Sequence, residues 1–211
     1  MTAKRVKQIC WSCAFFVTLG VLVLWLVSSC MDTDFDEMKN IPTVEYTDDK
    51  PHKRNITRSD IGYHFANQRG MNHVRIQVPR DVKVLMLDTN FKEVDYYWFR
   101  RFNNWFADMK HDNGIMPEAG VQNMDCDNFA MLYKSLASVA SYKSKHADEP
   151  AVAVMIVTQV NQFGGIPATS GLHMVNLIMT NRGWYVFEPQ TGEHVLLEQY
   201  PNQSHVQLII F

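Results

Sequence analysis

Hydrophobic positions fall into runs of three kinds along this chain: unbroken, helically spaced and strand-like. The first run is unbroken, since Cys10 to Val27 holds no charged residue and follows the basic residues Lys4, Arg5 and Lys7. That pattern is a targeting segment or membrane anchor, assigned to residues 1–30. Residues 31–60 are polar and charged, with Asp32, Asp34, Asp36 and Glu37 followed by Asp48-Asp49-Lys50. A stretch so poor in large apolar side chains buries too little to offset its chain entropy, so a flexible tether is expected. Residues 61–211 are then the right length for one domain with its own core.

Within that domain the apolar spacing changes twice. Val82 to Leu87 is a short strand-like run. Phe91, Val94, Trp98, Phe102, Trp105 and Met109 follow at helical spacing, and His111-Asp112-Asn113-Gly114 ends the helix. Pro117 to Gln122 reads as a loop, and a second helix begins at Cys126 with Phe129, Leu132, Leu136 and Val139 on its apolar stripe. Sheet follows. Ala151 to Val160 is apolar on both faces, as a central strand is. Gln162 to Gly171, rich in glycine, reads as a mobile loop. Leu172 to Met179 and Trp184 to Glu188 flank Asn181-Arg182 as a hairpin, and Val206 to Phe211 is a last strand. Two helices followed by an antiparallel run predict an α+β domain.

Composition adds the compartment. Val27-Ser28-Ser29-Cys30 ends the apolar run and resembles a bacterial lipobox, in which Cys30 is lipidated and becomes the mature N-terminus. The competing reading is an uncleaved transmembrane anchor. Either way the domain is membrane-anchored and extracytoplasmic. Cys10 and Cys13 lie in the apolar run, so Cys126 has no partner in the exported domain and is flagged as a reactive thiol. The formal net charge of −2 gives no basic footprint and argues against nucleic acid as a partner.

The candidate chemistry is a nucleophile, a base and an orienting acid in chain order. Cys126 falls in the first turn of the second helix, capped by Asn123 or Asp125, where unpaired N–H groups favour a thiolate. Asp125 and Asp127 oppose that, so a protonated histidine must compensate. If Thr180 pairs with Gly183, His173 and Glu188 fall on one face of the hairpin, on a diagonal that Glu188 can bridge. Gln190 then stands across from His173 as the alternative orienter. A slip of one residue would separate the pair. The backbone N–H of Cys126 is one oxyanion donor, with Gln122 or Asn123 as the side-chain partner.

Asp125-Cys126-Asp127-Asn128-Phe129-Ala130, Gly171-Leu172-His173 and Tyr185-Val186-Phe187-Glu188-Pro189-Gln190 resemble the motifs of a papain-like cysteine peptidase group. That group includes the C-terminal domain of a mushroom agglutinin and its lectin-related bacterial relatives. The resemblance covers roughly residues 80–195. It implies a papain-like or transglutaminase-like fold, with the nucleophile at the N-terminus of a helix packed on an antiparallel sheet. It also implies a Cys126-His173-Glu188 triad. By the same resemblance calcium is a possible cofactor, with Asp125 and Asp127 as conceivable ligands. The lectin module of the agglutinin has no counterpart here. The expected function is a membrane-tethered thiol hydrolase cleaving peptide or amide bonds in a peptide or protein substrate. The alternatives are a cell-wall peptide hydrolase and a non-catalytic surface lipoprotein with a binding groove.

Overall fold

The computed structural model describes residues 40–46, 82–85, 87, 91–117, 124–145 and 149–211. Among these, the strands are β1 (Lys83–Leu85), β2 (Phe91–Lys92), β3 (Glu149–Pro150), β4 (Val152–Thr158), β5 (Leu172–Thr180), β6 (Gly183–Phe187), β7 (His194–Leu196) and β8 (Val206–Ile210). The helices are α1 (Tyr96–Asp112) and α2 (Cys126–Lys143), between β2 and β3 in the chain. The main sheet runs β1-β8-β4-β5-β6-β7, and β2 pairs with β3 separately. It is mixed: the pairs from β8 to β7 are antiparallel, but β1 lies parallel to β8.

Alternation divides the sheet into two faces. Ala153, Met155, Val175, Leu177, Trp184 and Val186 belong to a core shared with Phe163, Tyr200 and Phe211. The helices take the other face. Phe187 meets the rings of Tyr133 on α2 and Phe106 on α1, at centroid distances of 4.6 and 6.4 Å. The α2 stripe of Phe129, Ala130, Tyr133, Leu136, Ala137 and Ala140 is buried, at the i, i+1, i+4 spacing that puts side chains on one side of a helix. Asn176, fully buried on β5, fastens that helix to the sheet: its Nδ2 donates to the carbonyls of Ala130 at 2.9 Å and Ala153 at 3.2 Å.

The helix expected from Phe91 begins later. Phe91 and Lys92 are a strand, and Asp95 caps α1 by accepting from the N–H groups of Tyr97 and Trp98 at 2.8 and 3.1 Å. The expected tether over 31–60 also needs correction. Ile41, Val44 and Tyr46 are buried, Trp98 Nε1 donates to the Pro42 carbonyl at 3.1 Å, and the Tyr46 and Ser141 hydroxyls bond at 2.8 Å. Three apolar side chains in six residues are enough to dock a short segment on α1 and α2. The remainder of 31–60, the 1–30 targeting segment and Cys30 lie outside the described residues. Among the described residues, no helix is long and apolar enough to cross a membrane.

The glycine-rich stretch from Gln162 to Gly171 is pinned rather than loose. The Gln159 side chain donates to the carbonyls of Ile166 and Pro167 at 3.1 and 3.2 Å, and its own carbonyl accepts from Thr169 and Ser170. Phe163 is buried against Tyr200, 4.9 Å between ring centroids.

Candidate active site

Cys126 is the first residue of α2, with Asp125 at the N-cap. The Asp125 N–H donates to Asn128 Oδ1 at 3.4 Å, and the Asp125 carbonyl accepts the first helical bond, from Phe129, at 3.1 Å. The cap fixes the first turn, so the thiol stands at the exposed end of a helix whose body is buried. The Cys126 N–H is among those a helix leaves without an intrahelical carbonyl. Gln122 and Asn123, the expected side-chain oxyanion donors, lie outside the described residues.

The hairpin is in the register expected from Asn181-Arg182: Thr180 pairs with Gly183, and the ladder runs to Asn176 opposite Phe187. There it stops. Glu188 leaves the ladder, donates its N–H to the Glu193 carbonyl and accepts from Gly192, both at 2.8 Å. This tight turn swings the carboxylate onto β5. His173 Nε2 and Glu188 Oε2 are 2.6 Å apart, with Glu188 fully buried and His173 6% exposed. Cys126 is among the groups that raise the His173 pKa. Glu188 occupies Nε2, which leaves Nδ1 as the second polar atom of the ring.

Burial alone would lower the His173 pKa. Cys126 and Glu188 outweigh it and raise the value from 6.5 to about 9. At neutral pH the imidazole therefore carries its proton. An imidazolium thus stands against a buried carboxylate.

Gln190 does not act as the alternative orienter through the contact expected of it. Its backbone N–H donates to Glu188 Oε1 at 3.1 Å, so it steadies the acid rather than the base. Asp125 and Asp127, the conceivable calcium ligands, sit side by side at the start of α2. The neighbouring Asp127 carboxyl, with burial second, raises the Asp125 carboxyl above its ordinary value. Among the described residues, no group of three or more His, Cys, Asp or Glu is placed to hold a metal ion.

Two neighbours of Glu188 carried no signal in the sequence. Lys110, at the end of α1, donates to the carbonyls of Pro189 and, at 3.0 Å, Gln190. Gly164 takes φ +59° and presses against Glu188, so that a Cβ there would stand 2.8 Å from Glu188 Cγ and from Thr191 Oγ1. Only a residue without a side chain fits that approach.

No protein-family model matches the chain, and no curated protein matches it. Among solved structures it is similar to the PSL1a-E64 complex, 16% identical with a TM-score of 0.45, over 64% of this chain and 44% of that one. It is similar also to the Polyporus squamosus lectin bound to a human-type influenza-binding epitope, 15% identical with a TM-score of 0.44, again over 64% and 44%. The chain thus spans less than half the length of the solved structures it matches.

Proposed function

We propose that this chain is a membrane-tethered, extracytoplasmic thiol hydrolase of the papain-like class, cleaving peptide or amide bonds with Cys126, His173 and Glu188. The observation that carries the reading is the buried 2.6 Å contact of His173 Nε2 with Glu188 Oε2, with Cys126 among the groups that raise the pKa of the same imidazole. A thiol nucleophile needs a proton acceptor beside it and a group that holds that acceptor in one orientation. In the proposed reaction the Cys126 sulfur attacks the substrate carbonyl carbon as the thiolate, with His173 as the imidazolium that serves it. The carbonyl oxygen takes the negative charge and accepts from the Cys126 N–H. As the oxyanion collapses, the C–N bond breaks, and the leaving nitrogen takes the proton from His173. A thioester remains on Cys126. Water then attacks it, gives a proton to His173 and releases the acid, which restores the starting pair.

The tether belongs to the same proposal. Val27-Ser28-Ser29-Cys30 supports a lipid anchor on Cys30, and mass spectrometry finding an unlipidated chain that starts at Met1 would remove it. The test of the chemistry is hydrolysis of an unfolded protein substrate by the full-length chain. Cys126→Ala and His173→Ala should abolish turnover while leaving the protein folded. Equal activity in wild type and Cys126→Ala would end the nucleophile assignment.

A further inference from the structure

Lys110 is only 5% exposed, an expensive position for an ammonium group unless it has partners. Its partners are specific. Nζ lies 5.1 Å from the ring centroids of both Phe106 and Phe129, and it donates to the carbonyl oxygens of Pro189 and Gln190. The first of these carbonyls belongs to the peptide unit whose N–H, on Gln190, donates to Glu188 Oε1 at 3.1 Å. In a trans peptide the C=O and N–H point to opposite sides. One planar group is therefore held by the ammonium on one side and holds the carboxylate on the other. The remaining oxygen, Oε2, is the one at 2.6 Å from His173. A cation on the carbonyl polarises the peptide and strengthens what its N–H donates.

A purely packing role would be served better by an apolar side chain, since a buried charge is commonly neutral or costly in stability compared with one. We propose that Lys110 is a positioning residue for the Glu188–His173 pair, fixing the Pro189–Gln190 peptide so that its N–H aims Glu188 at His173. The inference rests on the reading of Cys126, His173 and Glu188 as the reactive site. Burial lowers the Lys110 pKa from 10.5 to about 8, and the Glu188 charge acts against that fall, so the group is largely ammonium at pH 7.

The test is the titration of the His173 ring by NMR in the full-length Cys126→Ala protein, where no thiolate shares the titration. Adding Lys110→Met should lower the His173 midpoint by about one pH unit or more, because Glu188 no longer meets the ring squarely. Lys110→Arg, which keeps the charge and its donors, should restore most of it. A lysine that was only a nearby charge would give the opposite sign, since removing a repelling cation raises the midpoint. A rise or no change in Lys110→Met therefore overturns the proposal. Should Lys110→Met fail to fold, Lys110→Gln is read by the same criterion. The measurement needs no turnover, so a wild type without hydrolase activity would end the functional reading without deciding this one.

Discussion

At the scale of single residues, the proposed site depends on the proton held by His173. His173, raised to about 9, already carries it at pH 7, which makes Glu188 a stabiliser of imidazolium rather than a proton acceptor. Glu188→Gln keeps the shape but loses the charge, so turnover should fall by roughly 10²-fold and not vanish, as measured by initial rates against wild type. Gly164→Ala tests the packing behind the acid. The new Cβ would meet Glu188 Cγ at 2.8 Å with φ at +59°, so stability should drop by about 1–3 kcal/mol and activity with it. The pairing of His173 with Glu188 was legible in the sequence through the parity of the hairpin. Lys110 was not, because a lysine in the last turn of a helix reads as a solvated end. Its carbonyl partners lie 79 and 80 residues further along the chain.

At the scale of elements, the site depends on α2 keeping its place against β5. Asn176 fastens them, its buried amide donating to the Ala130 carbonyl of α2 and to the Ala153 carbonyl of the neighbouring β4. Asn176→Leu should destabilise the fold by about 1–3 kcal/mol, read as a lower denaturation midpoint at unchanged slope, and should also slow turnover as the Cys126 end of α2 shifts. Periodicity located α2 at its first residue and gave the hairpin register, since both have long, regular patterns. It gave no sign of β7, whose His194-Val195-Leu196 is too short to show alternation, or of the parallel pairing of β1 with β8. Pairing direction depends on where the chain returns, and no local pattern encodes that. Glycine content likewise suggested a mobile loop before β5, whereas Gln159 fastens it through contacts that composition does not reveal.

For the whole molecule, charge and chain ends matter most. The folded value of His173, about 9, lies above its ordinary 6.5, so its stabilisation is complete below pH 6.5 and lost as pH rises to 9. Lys110 works in the other sense: its value of about 8 lies below 10.5, so its cost is relieved as pH rises from 8 to 10.5. Wild type should thus lose melting temperature between pH 6.5 and 8 more steeply than His173→Ala, as followed by circular dichroism. A second expectation concerns the segment read as tether. Because Ile41, Val44 and Tyr46 are buried, a chain starting at residue 61 should melt lower than one starting at residue 31. Charge-rich flanks hid those three side chains from a compositional reading.

The most direct test of the central claim is the rate at which iodoacetamide modifies Cys126 at pH 6, followed by mass spectrometry on the peptide that carries it. If Cys126 gives its proton to a His173 held by Glu188, wild type should react ~10-fold or more faster than His173→Ala. Equal rates in the two proteins would contradict a coupled thiol and imidazole, and with it the proposed hydrolase.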